Sequence, residues 1–97
     1  MADDPAAPEE MVGLVKATIE WASPYHQITA ASIVNETTLE GDCGLPGYAR
    51  KALGGGFEKI ARRWKAQARL NRGDCEDLVT AGDAIALVAK AAGFSYP

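Results

Sequence analysis

From the acidic pair Glu9-Glu10 onward, Met11, Leu14, Val15, Thr18, Ile19 and Ala22 repeat at the i, i+3, i+4, i+7 spacing of one helical face. The two glutamates suit the positive end of such a helix, and Ser23-Pro24 closes it, because a residue before proline is driven out of the helical region. Tyr25 to Gly44 has no sustained period. Short apolar pairs such as Ile33-Val34 and turn formers such as Asn35 and Gly41 predict a long ordered loop there, with room for one helical turn.

Helical spacing returns at Leu45-Pro46-Gly47, where proline suits a first helical position, and continues through Ala49, Leu53, Phe57, Ile60 and Trp64. On a wheel of 100° per residue, Phe57, Ile60 and Trp64 lie within about 40° of Leu53. Lys51, Lys59, Arg62, Lys65 and Arg69 lie roughly 120° or more away. The pattern therefore predicts a helix running towards Asn71, apolar on one face and basic on the other. Gly54-Gly55-Gly56 interrupts it at a cost of about 1 kcal/mol per glycine relative to alanine, so a kink or break is expected there. Trp21, Tyr25, Phe57 and Trp64 recur at helical spacing and are expected in the core.

Asn71-Arg72-Gly73 ends this segment, and Asp74 to Val79 allows a short further helical turn. Thr80 is a suitable N-cap with Asp83 at the third helical position. Ala81, Ala84, Ile85, Val88 and Ala92 make an apolar stripe, and Gly93 supplies a stop. No strand signal competes. The fold class expected is all-α, a small three- to four-helix bundle with a long loop between helices 1 and 2. Ninety-seven residues hold one modest core, so residues 9–97 form a single domain. Residues 1–8, rich in Ala, Asp and Pro, have no apolar face and are expected to be a disordered acidic tail.

Composition agrees with a folding chain, at 47% hydrophobic and 24% charged residues. No apolar run approaches the roughly 20 residues that span a bilayer, and Met-Ala-Asp-Asp-Pro has neither a basic nor an apolar leader region. Neither secretion nor membrane insertion is expected. Cys43 and Cys75 stand 32 positions apart, outside any C-x-x-C pair, which fits a reducing, cytoplasmic setting.

The net charge of −3 hides a strong division. Residues 1–45 carry eight acids against Lys16, and residues 73–97 carry four against Lys90. Between them, residues 46–72 hold eight basic residues against Glu58, a local charge of +7. That surplus predicts a partner-binding face built from Arg50, Lys51, Lys59, Arg62, Arg63, Lys65 and Arg69, whose complement is the acidic surface of a partner protein. Nucleic acid ranks lower, since the chain is acidic overall, with a pI near 5.0, and carries acids on both flanks.

Thr37-Thr38-Leu39-Glu40-Gly41-Asp42-Cys43-Gly44-Leu45-Pro46-Gly47-Tyr48, followed by Val79-Thr80-Ala81-Gly82-Asp83-Ala84-Ile85, resembles the acyl carrier protein family over most of the chain. In that family a helix, a long loop, an Asp-Leu-Gly-x-Asp-Ser-Leu run opening the second helix, a short third helix and a Thr-x-x-x-Ala-Ile fourth helix follow in this order. Asp42, Gly44 and Leu45 match the first half of the motif, with Cys43 in place of leucine, and Tyr48 takes the apolar position after the serine. Pro46 stands for the aspartate, and Gly47 for the serine that would receive phosphopantetheine.

The resemblance thus implies an acyl-carrier-shaped protein with a vacant attachment position at Gly47 and no phosphopantetheine. The expected function is that of a non-catalytic adaptor or regulatory subunit whose partner is a protein, a biosynthetic enzyme being one candidate. A second departure sharpens this, because the family's second helix is acidic and this one is basic. Two rival readings stand beside it. One is a genuine acyl carrier protein of a fatty-acid, polyketide or related pathway; the other is a helical nucleic-acid-binding module.

Catalysis has little support in the residues. His26, the single histidine, lies in the predicted loop with no nucleophile paired to it. His26, Cys43, Asp74 and Cys75 match no common zinc spacing, and Gly54-Gly55-Gly56 lacks the Gly-Lys-Ser/Thr of a phosphate loop. Ser23, Ser32 and Ser95 do not open a helix after an Asp-x-Gly run.

Overall fold

The first apolar stripe folds as α1, Glu9–Ala22, which buries Met11, Val15 and Ile19. A computed structural model describes residues 4–96, and among these the regular structure is helical throughout, with no strand. After α1 comes one 3₁₀ turn, Ala30–Ser32, within the long loop. It is capped by Thr29, whose hydroxyl accepts from the Ser32 N–H. The basic helical pattern is divided into α2, Gly47–Ala52, and α3, Gly54–Ala61, with the break at Leu53. Then follow α4, Arg72–Glu76, and α5, Ala81–Ala92. No described helix is long and apolar enough to cross a membrane.

Two layers arise from these elements. α1, α3 and α5 pack on one another, while α2 pairs with α4. Small residues on α5, among them Ala81, Ala84, Ala89 and Ala92, are buried and let its neighbours approach closely. Thr80 and Asp83 form the expected reciprocal cap, and Gly93 adopts the left-handed conformation at φ 88°.

The long loop is ordered by burial and by backbone bonds. Ile33, Leu39, Cys43 and Leu45 are all buried. Leu39 N–H donates to the Val79 carbonyl and Ala81 N–H to that of Thr37, both at 2.8 Å, so the loop is stitched to the start of α5. Both thiols are buried and free; burial chiefly raises each pKa above the ordinary 9.0, with Asp42 adding to this at Cys43.

Three expectations are corrected. Residues 5–7 are not loose, since Ser95 N–H donates to Pro5 and Ala7 N–H to Ser95, each at 2.9 Å, and residues 1–3 lie outside the described part. Backbone groups make most of the tie, and the Ser95 hydroxyl adds a bond to the Asp4 carbonyl at 3.3 Å, so no apolar periodicity marks it. Trp21, placed in the core by its spacing, is 85% exposed at the end of α1, and Tyr25 is exposed also. Phe57 alone among the four aromatics is fully buried, and Trp64 packs half-buried against the core. The helix expected to continue to Asn71 ends at Ala61, after which the chain turns at Arg62 to Trp64 and runs on without a helix to Asn71.

Candidate functional site

The turn that resembles a carrier motif is built locally. Asp42 accepts from Thr38 N–H while its own N–H donates to the Thr38 hydroxyl, both at 2.9 Å, which closes the turn from both ends. Ser23 hydroxyl donates to the Cys43 carbonyl at 2.6 Å and fastens the end of α1 to it. Gly44 sits at φ 70°, and a Cβ there would lie 2.7 Å from the Tyr25 ring. Leu45 is buried, Pro46 precedes the first residue of α2, and Tyr48 projects with 79% exposure. Gly44→Ala is expected to cost at least about 1–2 kcal/mol from the left-handed backbone alone, plus displacement of Tyr25. Urea denaturation measures it, and an unchanged midpoint would contradict the close approach.

At Gly47 the position itself is not crowded. A Cβ would meet the Glu76 carboxylate at 3.5 Å and Arg50 Nη2 at 3.7 Å, ordinary contacts, so a serine side chain fits. What is missing is a hydroxyl. The position is flanked by the Glu76 carboxylate and the Arg50 guanidinium, which are opposite in charge.

The seven basic residues named from the sequence do not share one role. Arg50 is turned inward: its side chain is 13% exposed, and it donates to the Leu45 carbonyl at 2.8 Å, the Glu76 carbonyl at 2.9 Å and Glu40 at 3.1 Å. It therefore ties α2 to the loop and α4, and its guanidinium is largely engaged within the fold. Arg62 pairs with Glu58 at 2.9 Å and donates to the Ala68 carbonyl at 2.9 Å. Arg63 pairs with Glu10 at 2.6 Å and stacks 5.6 Å from the Trp64 ring centroid. Lys51, Lys59, Lys65 and Arg69 are exposed and have no ion-pair partner among the described residues. Lys51 and Lys59 lie on α2 and α3, whereas Lys65 and Arg69 lie on the connection after α3, so the basic surface is not one helical face.

Glu58 was counted in the sequence only as the lone acid of the basic segment. It accepts from Leu70 N–H at 3.1 Å and holds Arg62 and Arg72, so it clamps the 62–72 connection to α3. Arg72 in turn crosses Gly54 so closely that a Cβ there would lie 2.5 Å from its Cδ. The Leu70 N–H above all, with Arg62 and Arg72, holds the Glu58 carboxyl below its ordinary value of 4.5, against a smaller opposing effect of burial. A depressed carboxyl stabilises the fold above its unfolded pKa and loses that contribution as pH falls through the folded value. Glu58→Gln should therefore lower the urea midpoint at pH 7, and the gap to the unaltered protein should close below about pH 4. A gap constant down to pH 3 would contradict this.

Among the described residues no three His, Cys, Asp or Glu side chains group as metal ligands. Comparisons with protein-family models, curated proteins and solved structures find no match.

Proposed function

We propose that this chain is a non-catalytic, acyl-carrier-like adaptor or regulatory subunit that binds an acidic partner protein and carries no phosphopantetheine. One observation carries the reading: Lys51, Lys59, Lys65 and Arg69 stand exposed without ion-pair partners among the described residues, in the basic segment of an otherwise acidic chain. A cationic surface left uncompensated by its own fold is available to a complementary one. The element order supports the carrier-like part, with a helix, a long loop, a helix opening at Gly47 beyond the Asp42-x-Gly44-Leu45 turn and broken at Leu53 into α2 and α3, a short helix and a Thr80-capped last helix. Gly47 offers no oxygen to attack the coenzyme A phosphate, which supports the absence of the prosthetic group.

Intact-protein mass after incubation with coenzyme A, magnesium and a broad-specificity phosphopantetheinyl transferase separates the adaptor from a genuine carrier, with an ordinary carrier protein as positive control. An unchanged mass is expected. A gain of one phosphopantetheine would overturn the adaptor reading and direct the search to Ser23 and Ser32. Gly47→Ser is expected to fold, since the position has room, yet to load little, because Pro46 still stands where the resemblance expects the aspartate.

A further inference from the structure

The end of α3 at Ala61 brings the connection that follows against the last turns of α5 and opens a groove of about 370 Å³ between them. Its lip carries three cations from two elements, Lys65 and Arg69 on the connection and Lys90 on α5, against one acid, Asp74. None of the three has an ion-pair partner among the described residues. Gln67 and Asn71 add neutral polar groups. The Asn71 side-chain oxygen already caps α4 by accepting from Gly73 and Asp74 N–H, which leaves its amide NH2 as a donor. The remaining lining is apolar, with Ala68 and Leu70 buried and Leu87 and Ala91 half-buried.

A bare connection would not hold such a shape, but this one is fastened. Arg62, the residue that ends α3, donates to the Ala68 carbonyl and Leu70 N–H donates to Glu58 on α3, so both buried residues of the connection are held by hydrogen bonds. The lip is thereby preorganised, which reduces the ordering cost of binding. The volume lies within the roughly 300–1,000 Å³ usual for small-molecule sites.

We propose that this groove binds a small organic phosphate monoester. Its lip has a surplus of two positive charges, which matches a phosphate group that carries close to two negative charges near neutral pH. The apolar lining matches the organic part of the ester. The site is separate from the Gly47 turn; it shares Lys65 and Arg69 with the basic surface proposed for the partner, but its shape and apolar lining stand whether or not that surface binds one.

Phenyl phosphate is the probe, followed by amide chemical shifts of the full chain at 0.1 M salt. Saturable shifts confined to residues 65–71 and 87–91 are expected. Arg69→Gln and Lys90→Gln should each weaken binding about three- to tenfold, as loss of one charged contact does, and Lys16→Gln, on α1 and not lining the groove, should leave it unchanged. Both altered residues are exposed, and the same spectra report whether each variant is folded. Inorganic phosphate and phenol should each bind more weakly than the ester. Shifts spread equally over Lys51 and Lys59, affinity indifferent to Arg69→Gln and Lys90→Gln, or equal affinity for inorganic phosphate would each overturn the proposal.

Discussion

Phe57→Ala is expected to cost about 3–5 kcal/mol, the largest stability effect of any single substitution considered for this chain. The ring is fully buried on α3, the helix that packs against both α1 and α5, and its removal leaves a cavity as well as a lost transfer energy. A domain of this size has a total stability of about 5–15 kcal/mol, so the variant would keep only part of it. Trp64→Ala should cost less, because that ring is half-buried and its neighbour Arg63 covers one face. Trp21→Ala should fall within about 0.5 kcal/mol of the unaltered protein, since the side chain is 85% exposed. Urea denaturation of the three variants orders them, and a Trp21→Ala loss as large as that of Phe57→Ala would contradict the packing described.

Much of the helical architecture was legible because its signals are local. The spacing of Met11, Val15 and Ile19, the pair Thr80 and Asp83, and Gly93 each mark an element without reference to the rest of the chain. The break in the basic segment was legible too, since three glycines weaken any helix, although it falls at Leu53, one residue ahead of them. The end of α3 was not foreseen, yet a sign of it was present. Leu70 lies about 100° away from the Leu53 stripe on a helical wheel, so a buried Leu70 is incompatible with a straight continuation. Ala68 and Leu70, two residues apart and both buried, fit an extended segment better.

Trp21 shows the opposite failure. It follows the buried Ile19 by two residues on α1, an interval that turns the side chain away from the stripe, so its phase points to solvent while its size and hydrophobicity point to the core. The candidate site was legible in charge and illegible in geometry. Counting located the basic segment, but which cations stay outside depends on partners distant in the chain: Glu40 and the Glu76 carbonyl for Arg50, and Glu10 for Arg63. Pairs separated by 10 to 53 positions leave no periodic trace.

The second large effect concerns binding. Lys51, Lys59 and Lys65 are exposed and without ion-pair partners among the described residues, so reversing all three to glutamate removes no internal bond of the fold. Helical circular dichroism and the urea midpoint should stay close to those of the unaltered protein, as expected for surface positions. Against an acidic partner each reversal turns an attraction into a repulsion. Exposed pairs contribute about 0.2–1 kcal/mol apiece, so three reversals should weaken affinity at least about tenfold. The effect should shrink as salt shortens the screening length from about 10 Å at 0.1 M to about 3 Å at 1 M.

The central claim is tested most directly by one comparison. The protein and its Lys51→Glu, Lys59→Glu, Lys65→Glu variant are titrated with the partner captured by the unaltered chain, at 0.1 M salt. The adaptor account predicts a dissociation constant raised at least about tenfold in the variant, with the difference largely lost at 1 M salt. Equal affinity of the two folded proteins at 0.1 M salt would contradict it.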